Sequence, residues 1–399
     1  MGAATWIWTR PPFNVIQNNK KLNILCVTMD FPPNPGGIAF FLHNLLLQLH
    51  RMGHRLDVLA PRQEGCEAMD ATQPYRIYRY NHRCRFSSLP SIWLTLALHF
   101  RNHYDVVFVG HFFTTHALGV ILLNRLAGLP YVILSHGNDL SYSISTRTDK
   151  LVTRWLLGNA ALALGNSRFT VGRIRKAGCR GSVKVLNPGV DTTRFHPGAD
   201  AASVRQQYGL EGHRVLLTTA RLVARKNVDG VLRALPRVIK QVADVLYLIA
   251  GDGEKRDQWE ALRDDLGLKT YVRFLGYVKD DLLPSLYCAS DAFVLPSLEL
   301  DEHRDYEGFG IVFVEANACG KPVIGGQVGG TADAIIDGET GLLVDPQNID
   351  EIAEAIIHLL TDRELARRLG ENGWRRVRQE FSWEKVGQKL GYYLKSVAR

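Results

Sequence analysis

The chain has 399 residues, of which 46% are hydrophobic and 22% charged, and it carries a net charge of +8. This length is too great for one ordinary domain and fits two, each able to bury a hydrophobic core without disulfide bonds. No apolar segment is predicted to span a membrane, because the longest candidates are too short or are interrupted by polar residues and proline.

The cysteine pattern and the first residues of the chain indicate the cellular compartment of the protein. Six cysteines are scattered along the chain, and none stands in Cys-x-x-Cys spacing or beside a histidine cluster. This pattern predicts reduced thiols in a cytoplasmic protein and argues against a structural zinc site. Residues 1–21 lack a long apolar run ahead of a small-residue cleavage site, so a signal peptide is not predicted.

The two halves of the chain differ in the sign of their charge. Residues 1–195 contain 22 basic and 9 acidic residues, whereas residues 196–399 contain 26 basic and 31 acidic residues. This division predicts an anionic partner for the N-terminal half, such as an anionic membrane or a phosphorylated acceptor, unless the charge serves solubility alone. No helix-turn-helix, RNA-binding or zinc-finger motif is present, so nucleic acid is not an expected partner.

Short apolar runs rich in Val, Ile and Leu recur along the chain, each followed by a longer helical pattern. Continuous apolar strands that alternate with helices predict parallel sheets covered on both faces. Because the pattern occurs twice, we predict two doubly wound α/β domains, with a ligand in the cleft at the carboxyl ends of their strands. The predicted strands are residues 22–28, 56–60, 105–110, 131–135, 160–165, 183–186, 214–219, 245–250, 272–275, 292–296, 322–325 and 341–344.

The segment NPGVDTTRFHP, residues 187–197, marks the boundary between the two domains, because its prolines and glycine stop helices and strands. We therefore predict an N-terminal domain over residues 1–193 and a C-terminal domain over 194–380. Residues 349–397 are predicted to be helical with breaks near Asp362 and Phe381. We expect the last helix, about 381–399, to pack back on the N-terminal domain.

Two motifs of the first half stand at the carboxyl ends of predicted strands. Gly36 and Gly37 precede a helix, where small residues let backbone N–H groups approach an anion and the helix dipole favours negative charge. A glycine pair by itself is equally typical of an ordinary turn. His136 directly follows the strand at 131–135 and is placed to touch a ligand, although a lone histidine among 13 is more often structural.

A pair of cations follows the first strand of the second half. Arg221 and Lys226 lie five positions apart, just after residues 214–219. A planar guanidinium and a compact ammonium at the ligand edge of a sheet suit a diphosphate group. The alternative interpretation is a solvated basic loop.

The strongest motif is YEGFGIVFVEANACG, residues 306–320. Gly308 and Gly310 loosen a turn, and residues 311–319 form a predicted helix whose N-terminus can present N–H groups to phosphate. Glu307 precedes this helix and Glu315 lies inside it. One carboxylate is therefore available to a sugar and the other to ribose hydroxyls, which nucleotide folds commonly hold through an acidic residue.

Taken in order, these motifs resemble glycosyltransferase family 4, retaining enzymes with the GT-B fold of two Rossmann-like domains and an active site in the cleft between them. The two-glutamate motif of that family matches Glu307 and Glu315, and its Arg and Lys match Arg221 and Lys226. The N-terminal glycine pair, the His-Gly dipeptide, and the segments NPGVD, FLGYV and TGLLV follow in the same order. The resemblance covers about residues 22–397.

The resemblance implies a role for each matching residue. Arg221 and Lys226 would neutralise the donor diphosphate, while Glu307 would contact the donor sugar. Glu315 would contact the ribose, and His136 would lie against the sugar near its C6 hydroxyl. The other donor-binding positions that it implies are Gly36, Gly37, Gly308, Phe309, Gly310 and Ile311 through their backbone, and Val278 and Asp280 where the base is read.

The chain departs from the family pattern in three places. Ala220 stands where glycine is usual, and residues 331–333 read Thr-Ala-Asp where Pro-Glu is usual. Residues 297–306 form a longer, charged approach to Glu307, similar in length to the loop of phosphatidylinositol-mannoside mannosyltransferases. With Asp280, this loop favours GDP-mannose as the donor, and a UDP-sugar is the alternative.

The resemblance also implies a mechanism in which the acceptor hydroxyl attacks on the face from which the nucleotide leaves. Fixed cations and helix N-termini would stabilise the leaving diphosphate, so no metal ion and no cofactor is expected. The alternatives are an epimerase or phosphorylase of the same fold, or a degenerate transferase that only binds a glycan or polyanion. The complete set of charged motif residues favours a transferase that acts on a glycan or lipid-linked acceptor.

The basic first half indicates where such an acceptor is met. Residues 75–101 are interpreted as basic residues beside an apolar, Trp-bearing helix of the interfacial kind. We therefore expect a cytoplasmic protein that is peripheral at an anionic membrane, unless the apolar positions are the core face of that helix. The basic residues of this stretch are Arg76, Arg79, Arg83, Arg85 and Arg101.

Overall fold

The computed structural model describes residues 20–34, 36–81, 88–111, 118–137, 140, 146–300 and 305–399. These residues form two α/β domains, each built on one sheet in which neighbouring strands are parallel. No helix within these ranges is both long and apolar enough to cross a bilayer.

The first sheet consists of β1 (Asn23–Thr28), β2 (Arg55–Pro61), β3 (Arg76–Tyr80), β4 (Val106–His111), β5 (Tyr131–Ser135), β6 (Leu162–Gly165) and β7 (Val183–Val185). The helices of this domain are α1 (Gly37–Arg51), α2 (Cys66–Ala71), α3 (Ser88–Asn102), α4 (Leu118–Ala127), α5 (Arg147–Asn159) and α6 (Arg168–Lys176).

The second sheet consists of β8 (Arg214–Thr219), β9 (Val245–Ala250), β10 (Val272–Gly276), β11 (Ala292–Leu295), β12 (Val323–Gly326) and β13 (Leu342–Val344). The helices that follow the first domain are α7 (Ala201–Tyr208), α8 (Val228–Ile239), α9 (Arg256–Asp265), α10 (Leu283–Ala289), α11 (Ile311–Ala318), α12 (Thr331–Ala334), α13 (Ile349–Thr361), α14 (Arg363–Arg376) and α15 (Trp383–Val397).

Both sheets have the same winding. The strand order is β3-β2-β1-β4-β5-β6-β7 in the first and β10-β9-β8-β11-β12-β13 in the second. In each sheet the direction in which successive strands are added reverses once, between β1 and β4 in the first and between β8 and β11 in the second. Such a switch point leaves a crevice at the carboxyl ends of the strands. This arrangement confirms the predicted fold class of two doubly wound domains, and all the predicted strands are present.

In the stretch 75–101 a strand comes before the Trp-bearing helix, and one of its basic residues is not available to a membrane. Strand β3 occupies Arg76–Tyr80, and α3 begins only at Ser88. The guanidinium of Arg79 lies 2.7 Å from the carboxylate of Asp70, with only 8% of the arginine side chain exposed. Arg79 therefore stabilises the fold and is unavailable to a membrane, while Arg83 and Arg85 lie outside the described residues.

Helix α3 turns its polar side towards the protein. Ser91 and Thr95 are fully buried, whereas Trp93 is 71% and Phe100 61% exposed. The small inner residues let α3 approach α4 closely, since a Cβ added at Gly119 would lie 3.0 Å from the Cα of Ile92. The apolar positions of this helix are thus divided, and its largest side chains lie on the outer face.

The C-terminal helix crosses back to the N-terminal domain. After the π turn Val377–Phe381, α15 packs against α1, and the ring of Trp383 lies 5.7 Å from that of Phe41. A Cβ added at Gly387 would overlap Cβ of Gln48, so only glycine permits this separation of the two helices. The last helix therefore belongs to the core of the first domain.

We predict that Gly387→Ala destabilises the protein by roughly 1–3 kcal/mol, as overpacking of a core usually does. Gly172→Ala in α6 is the matched control, because a Cβ added there meets nothing within 4 Å. The control gains helix propensity and is expected to be neutral or slightly stabilising. Urea denaturation measures both, and equal free energies of unfolding for the two variants contradict the close α1–α15 contact.

Candidate active site

A buried cluster of charges lies at the carboxyl ends of β8 and β11. The ammonium of Lys226 is 2.6 Å from Oε2 of Glu307, and Nη1 of Arg225 is 2.8 Å from the same oxygen. Nε of Arg225 also lies 3.0 Å from the carboxylate of Asp305. The cluster thus joins the loop after β8 to the loop after β11.

Asn227 sets the direction of the loop that carries the two cations. Residues 224–226 form a 3-10 turn, which ends where Asn227 adopts φ of +51°. The side-chain amide of Asn227 donates to the carbonyl oxygens of Pro296, at 3.0 Å, and Pro346, at 2.7 Å. Asparagine tolerates this left-handed conformation better than most residues, so the turn is anchored to the loops after β11 and β13.

Two cations keep Glu307 ionised. Burial alone would raise the pKa of this carboxyl, but the charges of Lys226 and Arg225 outweigh burial and lower it. Burial lowers the pKa of Lys226, and the charges of Arg225 and Arg221 lower it further. Arg221 is exposed beside the cluster. Three cations therefore face two carboxylates, which leaves a positive excess for an anionic ligand.

Helix α11 begins beside this cluster. Its first residue is Ile311, and Gly310 before it has φ of +88° and offers no side-chain cap. The N-terminus of α11 can therefore donate backbone N–H groups to an anion, with the helix dipole in the favourable sense. Phe309 has a buried side chain that packs on Phe381, so only its backbone is available to a ligand.

Glu315 occupies a second polar centre on α11. The hydroxyl of Tyr287 donates to Oε2 of Glu315 at 2.9 Å. Because that proton is used, Thr219 at the end of β8 donates its own hydroxyl to Tyr287, at 2.6 Å. Burial raises the pKa of Glu315 to about 7, and the hydrogen bond from Tyr287 opposes this rise.

The predicted base-reading residues gather near Glu315. Asp280 begins a short 3-10 turn, and its backbone carbonyl accepts a hydrogen bond from the guanidinium of Arg194. The charges of Arg194 and Asp280 both act on the pKa of Glu315. Val278 is buried in the adjoining core, so its backbone is the part that can face a base.

His136 faces the C-terminal domain from the end of β5. Its Nε2 lies 2.9 Å from the carbonyl oxygen of Gly110, so the neutral ring carries its proton on Nε2. The ring packs edge-on against Phe41, with the centroids 5.3 Å apart. A Cβ added at Gly308 would lie 2.9 Å from the carbonyl oxygen of His136, which brings the histidine loop onto the Glu307 segment.

The glycine pair of the first half lies at the start of α1. Gly36 and Gly37 are both exposed, and a Cβ added at Gly37 would meet nothing within 4 Å. Phe41, one turn further along α1, touches the ring of His136. The start of α1 and His136 therefore lie on the same side of the N-terminal domain, facing the charged cluster.

The structure adds residues that sequence reasoning missed. Arg225 contacts Glu307, whereas Arg221 was selected from the sequence and remains exposed. The signal was present, because Arg225 is the direct neighbour of Lys226. Tyr287 and Asn227 carry no such signal, since each acts through a partner far away in the sequence.

Comparison with known proteins identifies the two domains. Residues 35–194 match the family described as Glycosyltransferase Family 4, and residues 200–376 match Glycosyl transferases group 1. The chain belongs to glycosyltransferase family 4. It is therefore a glycosyltransferase that takes its sugar from a nucleotide-sugar donor, and the alternatives of an epimerase or a phosphorylase are set aside.

Curated relatives extend over nearly the whole transferase. A GDP-mannose-dependent alpha-(1-6)-phosphatidylinositol monomannoside mannosyltransferase of Mycolicibacterium smegmatis is 33% identical over 93% of this chain and 98% of its own. A GDP-mannose-dependent monoacylated alpha-(1-6)-phosphatidylinositol monomannoside mannosyltransferase of Corynebacterium glutamicum is 29% identical over 94% of this chain and 98% of its own. Among solved structures, Anabaena HepE with UDP and glucose has the same fold, with a TM-score of 0.75 and 24% identity over 94% and 100% of the two chains.

The raised pKa of Glu315 predicts a pH-dependent stability. Its pKa of about 7 lies above the ordinary value of 4.5, so folding takes up a proton between these values. The free energy of unfolding should therefore fall as pH rises through this range, by at most ~1.4 kcal/mol per pH unit. Glu315→Gln, which has no charge to bury, should lack this component. Urea denaturation of both proteins from pH 5 to 8 measures it, and a constant difference between them contradicts the assignment.

Proposed function

We propose that the transferase moves mannose from GDP-mannose, with retention of configuration and without a metal ion, to a hydroxyl of a lipid-linked glycan. The observation that carries this proposal is the buried cluster of Lys226, Arg225 and Glu307 beside the N-terminus of α11. The names of the relatives support the choice of donor and acceptor class.

The cations provide the charge that a diphosphate leaving group requires. Arg221 and Lys226 lie at the switch point of the second sheet, where the dipole of α11 also favours negative charge. As the bond between the sugar and the diphosphate breaks, negative charge accumulates on the leaving oxygen. Fixed donors aimed at that position stabilise the transition state without reorganisation, which is the role a divalent cation has in other enzymes.

The nucleoside is assigned to the second polar centre. Glu315 accepts hydrogen bonds from the ribose hydroxyls, while Tyr287 holds the carboxylate in place from behind. The base lies over Val278 and Asp280, in a loop that Arg194 fixes through the Asp280 carbonyl. A carboxylate side chain at this loop favours guanine, whose N1–H and amino group are both donors.

The reaction then needs no nucleophile from the protein. The acceptor oxygen forms its bond to C1 of mannose on the face from which GDP departs, and its proton passes to the leaving phosphate oxygen. His136 acts by orientation, because its Nε2 proton is held by the Gly110 carbonyl and its ring is fixed against Phe41. Glu307 holds the sugar hydroxyls while remaining ionised between two cations.

A panel of nucleoside diphosphates tests the donor. We expect GDP to raise Tm more than UDP or ADP, since ligand at about 100 times its Kd adds roughly 2.7 kcal/mol of stability. Transfer from GDP-mannose to a mannosylated lipid should survive excess EDTA and give the α product by NMR. Lys226→Ala should lower the rate on the order of 10²–10³-fold, as loss of a fixed oxyanion donor does.

Three results would contradict parts of this proposal. A larger Tm shift with UDP than with GDP would reassign the base. Activity lost in EDTA and restored by Mg²⁺ or Mn²⁺ would mean that a metal neutralises the diphosphate. A β product would exclude retention.

We also propose that the acceptor is met at an anionic membrane. The outer face of α3, α4 and α5 forms one surface, since the three helices pack side by side over the same face of the sheet. These helices carry five basic residues and one acid, Asp149, in their described ranges. The apolar side chains exposed on this surface are Leu89, Trp93, Phe100, Leu122, Leu126, Leu151 and Trp155.

Charge complementarity favours a lipid surface as the occupant of this outer face. Arg125 lies over the ring of Trp155, 5.1 Å from its centroid, so basic and apolar groups are interleaved. Each basic residue near an anionic bilayer contributes about 1 kcal/mol, and exposed aromatic side chains enter the interfacial region. The N-terminal domain would then hold its lipid-linked acceptor next to the cleft.

Vesicle flotation tests this surface. We expect wild-type protein to float with vesicles that contain anionic lipid at low salt and to be released as salt rises. Trp93→Ser with Phe100→Ser should reduce flotation, whereas Tyr392→Ser, which removes an exposed aromatic ring from α15, should not. Protein that stays in the soluble fraction at low salt, or equal flotation of both variants, contradicts the assignment.

A further inference from the structure

Tyr306, the residue before Glu307, is anchored in the opposite domain. Its side chain is 2% exposed, and its ring packs edge-on against Phe169 with the centroids 4.9 Å apart. The guanidinium of Arg173 lies over the same ring, 4.5 Å from its centroid. Phe169 and Arg173 belong to α6, so a loop of the C-terminal domain is held by a helix of the N-terminal domain.

The loop after β5 lies directly against this segment. Gly137 has φ of +104°, and a Cβ added there would lie 2.9 Å from Cε2 of Tyr306. A Cβ added at Gly308 would likewise lie 2.9 Å from the carbonyl oxygen of His136. Residues 306–308 are therefore placed by contacts with the N-terminal domain, although Glu307 among them serves the donor site.

A second contact joins the same helix to the C-terminal domain. The carboxylate of Asp333 accepts hydrogen bonds from the backbone N–H of Arg168 and from its Nε, the latter at 2.5 Å. Arg168 is the first residue of α6, so this carboxylate also lies at the positive end of the helix dipole. Gly330, just before α12, donates its N–H to the carbonyl oxygen of Glu307 at 2.8 Å. Helix α6 therefore contacts the segments on both sides of the Glu307 backbone, through Tyr306 and through the turn that contains Gly330 and Asp333.

We propose that α6 is a latch that couples closure of the two domains to the position of Glu307, with Tyr306 as the positioning residue. This inference rests on the proposed function, in which Glu307 binds the donor sugar. If the domains separate, Tyr306 loses Phe169 and Arg173, while Lys226 and Arg225 still hold the Glu307 carboxylate from within the C-terminal domain. When the domains are closed, the contacts of Tyr306 with Phe169 and Arg173 provide a second anchor, which fixes the backbone at Glu307. Arg173 therefore influences the donor sugar from the domain that does not bind the nucleotide.

Paired measurements with GDP and GDP-mannose test the latch, because GDP lacks the sugar that Glu307 holds. In Arg173→Met, which removes the cation and keeps an apolar stem, we expect affinity for GDP-mannose to fall by about 5- to 10-fold. Tyr306→Ala should give at least the same loss. In both variants the affinity for GDP should change less than about twofold, because the cation–π contact does not touch the nucleotide. Tyr306→Phe keeps the ring and should recover most of the loss.

Trp259→Leu is the matched control for a loss of stability alone. Trp259 is also 2% exposed, but it lies on α9 in a core formed with α8 and away from α6. It should lower Tm and leave the ratio of the two affinities unchanged. Equal losses for GDP and GDP-mannose in Arg173→Met, or no loss of either, overturn the latch.

A wild-type enzyme that binds neither GDP nor GDP-mannose would instead contradict the proposed donor. The same comparison then uses UDP and the UDP-sugar that the wild type accepts, and the ratio of affinities decides the latch in the same way.

Discussion

The charged cluster at the switch point of the second sheet depends on one carboxylate, that of Glu307, which two buried cations share. Lys226 and Arg225 reach it from the loop after β8, whereas Glu307 arrives on the loop after β11. A buried cation without a partner is strongly destabilising, so neither loop can leave the other without leaving an uncompensated charge behind. The ion cluster thereby joins the two loops that flank the switch point.

Close backbone contacts at glycine hold the segment that carries Glu307 in place within the C-terminal domain. Gly329 and Gly330 lie against the carbonyl oxygens of Glu307 and Gly308, where a Cβ would overlap them. Just after these glycines, Asp333 supplies a buried carboxylate, which accepts a hydrogen bond from the backbone N–H of Arg168, the first residue of α6. The close approach of backbone at Gly329 and Gly330 leaves no room for a side chain at either position.

The sequence by itself determined the features that depend on local pattern. Strands buried on both faces must be continuously apolar, so their positions along the chain could be predicted, with the exception of the edge strand β3. Strand β3 lies at the edge of the sheet, and its residues Arg76–Tyr80 include two arginines and are mostly half-buried, so it carries no such run. Motif spacing also placed Lys226, Glu307 and Glu315 at the ligand edge, because glycines and charged residues after buried strands mark that edge in a doubly wound sheet.

Only the tertiary structure decided which of these groups meet and which side of a helix faces the core. Arg225 contacts Glu307 because Asn227 anchors the turn to carbonyl groups far away in the sequence. Tyr287 contacts Glu315 because the packing of α10 beside α11 brings together two residues that are far apart in the sequence. In α3 the pattern of apolar residues could not show that Ser91 and Thr95 pack inwards while Trp93 faces outwards. That choice depends on the close approach of α4 at Gly119, which is a contact between helices and not a property of either one.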